Sequence, residues 1–418
     1  MTDARPPLVA ITGGYLTANR GGAAMTRAVI DHVRKAGGST ELLTIYPAAD
    51  EAQGMAGVRV VSWRPVDLLV SLPLAVLIGV ARLLRLPTAP LARTAGLRAL
   101  RRADLVVDVA GISFVDGRGL PILGYNVLMT GIPLLVGTPV VKASQAVGPF
   151  EQRLNRLAAK AVLPRVRTIL ARGDRTLAHL QGLGLGNVVP AADLAFSLET
   201  DHGASTRVDE LLDELVGDEP FVAVMPSAVV LGYCDAHGID YVGALAEMIR
   251  RVTTEVGRRV LVVPHSIHPS GSEGRMHDVP VCRATVAAAS AAGCTLVEQE
   301  LDPVELRALI ARSDVLVSSR FHAMISGLAT ATPTLVLGWS HKYAEVLRSF
   351  ELEDLSVDYS LIQGPVLAER VADLLARAEP IRATIAEHLP AVQASSRRNL
   401  DEIDLALGAG DRRSTRGR

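Results

Sequence analysis

DVLVSSRFHAMISGLATATPTLVLGWSHKY (314–343) decides the fold class. It opens with a short β-branched apolar run, turns at Arg320, continues through a helix built from small and apolar residues, and enters a second apolar run at Thr334. A run of this length without polar alternation is the mark of a strand covered on both faces, and a helix between two such strands makes a right-handed β-α-β crossover. The same alternation extends outward in both directions. LVAIT (8–12), ELLTI (41–45), LVVDVA (105–110), PVVKAS (139–144) and RTILA (167–171) are predicted strands of a first sheet. FVAVMP (221–226), RVLVVPH (259–265), TLVEQ (295–299), DVLVSS (314–319) and TLVLGW (334–339) are predicted strands of a second. The chain reads as α/β, with two Rossmann-like domains facing across a cleft at the carboxyl ends of their strands.

The length, 418 residues, fits two or three domains at roughly 150 residues each. The predicted division is 1–203 for the first domain, with an apolar helical insertion at about 66–101, and 204–360 for the second. Helices at 361–408, rich in Ala, Leu and Arg, are expected to return to the first domain, and 409–418 to form a disordered basic tail. With 43 Lys and Arg against 44 Asp and Glu, the net charge of -1 supplies no global field for nucleic acid, so an anion site must be local. Cys234, Cys282 and Cys294 form no CxxC and suggest neither a disulfide framework nor a zinc site, which fits a reducing compartment. The opening MTDARPPLVAITGG lacks the pattern of a secretory signal, so a cytoplasmic protein is expected. LLVSLPLAVLIGVA (68–81) is as apolar as a membrane span but short of the roughly 20 residues a spanning helix needs. With Pro73 inside it, the stretch reads either as a buried or domain-packing helix pair or as an interfacial helix on a bilayer, the first being favoured.

Five places carry residues suited to chemistry. The Gly-rich loop GGYLTANRGGAA (13–24), with Asn19, feeds a helix whose first amides favour an anion or a polar ligand, although such loops also serve tight turns. GISFVDGRG (111–119), with Ser113, has the same two readings. Arg172 ends a strand, where it could clamp an anion or pair with Asp174. At the 314–343 elbow, Arg320 offers a planar fork for carboxylate or phosphate and His322 an acid or base near neutral pH, with His341 and Lys342 on the following turn. The polar stretch PHSIHPSGSEGRMHD (264–278) reads as a binding loop. Its His265, His268 and His277 lack a completing carboxylate or Cys pattern, so no metal is expected.

In this order the motifs resemble the polysaccharide pyruvyl transferase family. The matching features are GYLTANRGGAA, SQAVGPF (144–150), Arg172 with Thr176, Leu180, Gly184 and Asp193, the SRFHA elbow, and GWSHKY. The resemblance implies a fold similar to GT-B glycosyltransferases and transfer of a pyruvyl group from phosphoenolpyruvate to a sugar as a cyclic ketal, at the cell envelope. Set against that reaction, the residue chemistry makes His322 and Arg320 the catalytic candidates, and Arg172, Lys342, Asn19, His265, His341 and Ser113 the candidates around the substrates. The resemblance implies no cofactor beyond phosphoenolpyruvate as donor substrate, and a glycan or lipid-linked sugar as acceptor, with work at the inner face of the plasma membrane and peripheral membrane contact left open. Two positions depart from the family pattern: Gly22 and Gly173 stand where acidic residues are usual. A nucleotide-sugar glycosyltransferase of the same fold and a noncatalytic glycan-binding homologue are the alternatives.

Overall fold

The structure, a computed structural model, describes residues 5–268, 276–338 and 341–414; the side chains of 341 and 409–414 lie outside the described residues. The chain divides into two compact units. The first comprises 1–17, 25–197 and 394–418, the second Ala18–Ala24 and Leu198–Gln393.

In the first unit the strands are β1 (Leu8–Thr12), β2 (Ser39–Thr44), β3 (Val58–Ser62), β4 (Leu105–Asp108), β5 (Ile112–Ser113), β6 (Val140–Val147), β7 (Thr168–Arg172) and β8 (Val188–Ala191). They form a parallel sheet in the order β3-β2-β1-β4-β6-β7-β8, with β5 on the end of β6. The second unit holds β9 (Phe221–Met225), β10 (Arg259–Val262), β11 (Cys294–Leu296), β12 (Val315–Ser318), β13 (Thr334–Gly338) and β14 (Ser356–Asp358), in the order β11-β10-β9-β12-β13-β14. All of its pairings are parallel. In each sheet the strand order reverses beside the first strand of its series. The reversal splays the two following loops apart and leaves a crevice at the carboxyl edge.

Helices cover both sheets because the strands are apolar on both faces: β9, β12 and β13 are buried along their whole length. Trp63, Leu68, Leu100, Ile132 and Ile169 lie in the first core; Phe221, Met225, Leu261, Leu309 and Leu316 lie in the second. Four strands escaped the sequence reading, namely β3, β5, β8 and β14. Each is short or lies at a sheet edge, where polar residues such as Arg59 and Ser356 dilute the apolar run.

Three expectations change. The 68–81 stretch belongs to one continuous helix, Pro65–Leu83, and not to a helix pair; Pro73 is exposed on it, so the carbonyl that lacks its amide partner faces solvent. The domain boundaries also differ from 203/204 and 360/361. Ala18–Ala24 joins the second unit because its backbone bonds to residues 265–267, and that unit runs on to Gln393. The helix Ala378–Ser414 carries the backbone of 409–414, part of the expected disordered tail; 415–418 lie outside the described residues. Within the first unit, that helix is held by Asn399, whose Oδ1 accepts from the Ser144 amide at 2.7 Å, and by Ser396, whose Oγ donates to the Asp193 carbonyl at 2.8 Å.

Candidate active site

In the second unit the carboxyl ends of β10, β9 and β12 lie side by side. The loops that leave them carry His265 and Ser266, Ser227 and Ala228, and Ser319 and Arg320 respectively. A single buried carboxylate ties the three together. Oδ1 of Asp278 accepts from the Ala228 amide at 2.9 Å and from the Arg320 guanidinium, and Oδ2 accepts from the Ser266 amide at 2.8 Å. Tyr241 adds a second tie, its hydroxyl accepting from the Ser227 amide at 3.2 Å and lying 2.6 Å from Ser319 Oγ. Burial pushes the Tyr241 hydroxyl well above its ordinary pKa, so it stays a neutral phenol.

The Gly-rich N-terminal loop enters this unit as a short antiparallel partner of 265–267. Asn19 bridges Ser266, the Ile267 amide donates to Ala18 O at 2.9 Å, and the Arg20 amide donates to His265 O at 3.3 Å. Asn19 also caps the helix Arg20–Lys35, its Oδ1 accepting from the Gly21 amide at 2.9 Å. The imidazole of His322, half-buried in the first turn of the helix Phe321–Ala329, lies against Gly21: a Cβ built there would come within 2.0 Å of its Nδ1. Two helix starts therefore meet at His322, and both present partial positive charge.

Arg20, His265 and Arg320 complete the group, at 3%, 2% and 7% exposure. Arg20 pairs with Glu300 at 2.6 Å and Arg320 with Asp278, yet among the described residues Nε of each guanidinium and Nδ1 of His265 are buried without a hydrogen-bond partner. Donors left over after their structural pairing are the groups an anionic ligand would complete. His265 is held well below the ordinary histidine value of 6.5, first by burial and then by the charges of Arg320, His322 and Arg20, so it is neutral at pH 7. For Arg320, burial opposes the charge but Asp278 outweighs it and raises the pKa. Lys342 lies 4.9 Å from the Phe321 ring centroid, a cation-π contact at the edge of the same elbow. His341 opens the helix His341–Arg348, and its side chain lies outside the described residues.

Arg172 and Ser113 belong to the first unit, at the carboxyl ends of β7 and β5. The partner of Arg172 is Asp193, at 2.7 Å and fully buried, in place of Asp174; its other nitrogen donates to Gly111 O at 3.1 Å. Gly173 explains the change. At φ +80° and ψ 161° it reverses the chain into the helix Asp174–Gly182, a conformation that a side chain resists, and Asp174 is carried into the first turn of that helix. Ser113 Oγ donates to Gln145 Oε1, and Lys142, early in β6, pairs with the buried Asp108 at the carboxyl end of β4. His277 Nδ1 accepts from the His268 amide at 3.1 Å. No group of three metal-ligating side chains occurs among the described residues. Arg20, Asp278 and Tyr241 were not legible as site residues. Arg20 sits inside the Gly-rich loop and Asp278 ends the polar 264–278 stretch, but nothing in their spacing says that they meet.

Gly21→Ala should displace His322 and lower turnover about 100-fold, the scale of a misplacement near 1 Å. The overlap extends to the His322 Cβ at 2.6 Å, so some stability should be lost as well; an unchanged rate would show that the imidazole position is immaterial. A second expected result concerns pH. Between its depressed native value and about 6.5, His265 binds more protons unfolded than folded, so stability rises with pH across that window and is level above it. Acidification below 6.5 should cost up to about 1.4 kcal/mol per pH unit from this residue. Denaturant titrations of the wild type and His265→Gln should diverge there, and parallel curves would refute the assignment.

A model of the family described as polysaccharide pyruvyl transferase matches residues 19–341. The amylovoran biosynthesis protein AmsJ of Erwinia amylovora is 24% identical over 283 residues, covering 65% of this chain and 65% of that protein, just under two thirds of its length. Among solved structures, the S. aureus MnaA-UDP co-structure superimposes with a TM-score of 0.59 at 12% identity, over 97% of both chains. The UDP-GlcNAc 2-epimerase from Neisseria meningitidis bound to UDP-GlcNAc gives 0.59 at 11%, over 95% of this chain and 99% of that one. A glycosyltransferase from Rickettsia africae gives 0.56 at 11%, over 96% and 99%. At such identities the likeness is one of fold, the GT-B type of α/β architecture.

Proposed function

The chain belongs to the polysaccharide pyruvyl transferase family, transferases of polysaccharide biosynthesis, and from that premise we propose that it moves a pyruvyl group from phosphoenolpyruvate onto two hydroxyls of a glycan or lipid-linked sugar. The observation that carries this reading is the convergence of Arg20, His265 and Arg320, buried and with donors to spare, on a half-buried histidine at two helix starts. Phosphoenolpyruvate has a carboxylate and a phosphate on adjacent positions of one carbon skeleton, and such a cluster suits both.

In the proposed reaction a proton goes to the methylene carbon, and the neighbouring carbon becomes electrophilic. One sugar hydroxyl adds there; phosphate departs with the carbon-oxygen bond electrons, and the second hydroxyl closes the ketal. The two hydroxyl protons balance the methyl group and the released phosphate. His322 is the acid and base for these transfers, while Arg320 and Arg20 hold the departing charge. Asp278 fixes the Arg320 fork, and neutral His265 offers a hydrogen bond without adding repulsion among the cations. Asn19, Lys342 and His341, of the same unit as His322, are assigned to the substrates. The scheme uses no metal or organic cofactor, and the reading takes the protein as a cytoplasmic one that serves cell-envelope synthesis.

The test is incubation of the protein with phosphoenolpyruvate and a panel of free and lipid-linked sugars. Inorganic phosphate should appear together with an acceptor heavier by one pyruvyl ketal. Consumption of a nucleotide sugar with phosphoenolpyruvate untouched would overturn the reading in favour of a glycosyltransferase, and acceptor binding with neither donor consumed would leave a noncatalytic binding protein.

A further inference from the structure

The helix Pro65–Leu83 is apolar on two sides, and only one of them is used inside the first unit. Leu68, Ser71, Ala75 and Ile78 are buried, the helix lying along Leu120–Val136 with Gly79 against Leu135 and Arg82 donating to the Leu135 carbonyl at 3.3 Å. On the other side Leu69, Val70, Val76, Leu77, Val80 and Leu83 follow the helical period and are 45% to 85% exposed. Pro73 fills the gap between Val70 and Val76 on that same face. A helix of 19 residues spans about 28 Å, so this is a long stripe of hydrocarbon facing water.

Charge decides what covers it. From Arg64 to Arg98 the chain carries five exposed arginines, at 64, 82, 85, 93 and 98, against one carboxylate, in a protein whose whole charge is -1. That one, Asp67, is engaged in the helix cap by Ser62 and the Arg64 amide, which hold its pKa below the usual value against the opposing effect of burial. Arg64, which shares Asp67, and Arg85 stand at the two ends of the helix, and Arg93 and Arg98 follow in the next segment, while Arg82 is turned to the packed side on the carbonyls of Leu134 and Leu135. A second copy paired face to face would bring these cations together, whereas a bilayer would meet the stripe with acyl chains and the arginines with lipid phosphates. The buried side of the helix holds it in the unit, so on a membrane the exposed side would lie flat in the surface.

We propose that this face docks the protein on an anionic phospholipid bilayer, with the helix Pro65–Leu83 in the headgroup layer and the flanking arginines on lipid phosphates. The proposal is independent of the pyruvyl-transfer reading. It is tested by sedimenting the full chain with vesicles of phosphatidylcholine alone and of phosphatidylcholine mixed with phosphatidylglycerol. The wild type should pellet with the mixed vesicles and lose that binding as salt rises. Leu69→Asp with Leu77→Asp, and separately Arg85→Glu with Arg93→Glu, should each weaken partitioning at least about tenfold while circular dichroism stays unchanged. Wild-type protein that stays in the supernatant, or variants that pellet equally, would overturn it. So would light scattering that shows a dimer dissociated by the aspartate pair in a protein indifferent to vesicles, since the face would then belong to a second copy.

Discussion

Replacing His322 with alanine should lower phosphate release from phosphoenolpyruvate by about 100- to 10,000-fold, the usual worth of a positioned proton-transfer group. The side chain is half-buried, and it packs on the Gly21 backbone and edge-on to the Phe321 ring at 5.2 Å, so its loss empties a surface recess without opening the core. Thermal unfolding should therefore move little while turnover collapses. The pairing of the two readouts matters. A variant with near-normal phosphate release in the presence of its acceptor would remove His322 from the mechanism, whatever its position.

The second large effect is on stability. Asp278 is fully buried and accepts from two backbone amides and from Arg320, itself buried. Asp278→Ala would leave a guanidinium in a low-dielectric site without its counter-charge, together with two orphaned amides. Breaking a buried pair in this way costs about 3–5 kcal/mol, more than removing both partners would. Asp278→Ala combined with Arg320→Met should recover part of that loss, because the stranded charge goes with the second substitution. Denaturant unfolding of the single and double variants measures both quantities. If the single variant unfolds within about 1 kcal/mol of the wild type, Asp278 is no organiser of the three loops.

Those two residues also mark how far the chain could be read before its structure was known. The strand-helix-strand alternation around Arg320 and His322 was legible because burial on both faces forces continuous apolar runs, and the ten strongest of these reappear as strands within a few residues of their predicted ends. Edge strands such as Val58–Ser62 were not, since one solvated edge permits the polar residues that blur the pattern. The helix Pro65–Leu83 was visible as an apolar stretch and was read as a helix pair; only its packing shows one helix with Pro73 facing outward, where a missing amide is tolerated.

The site divides along the same line. Residue chemistry and position after a strand are local properties, so Arg320, His322, Asn19 and His265 could be singled out from one-dimensional order. Partnership is not local. Arg172 found Asp193 instead of Asp174 because Gly173 turns the chain, Asp278 found Arg320 across 42 positions, and Arg20 joined His265 through a backbone bridge between distant loops. Sequence alone settled the α/β class, the family and the residue types at the carboxyl edges, since these follow from periodicity and motif order. Tertiary structure alone decided which charges are already neutralised and which donors remain for a ligand, because hydrogen-bond and Coulomb energies depend on distances that no spacing along the chain encodes.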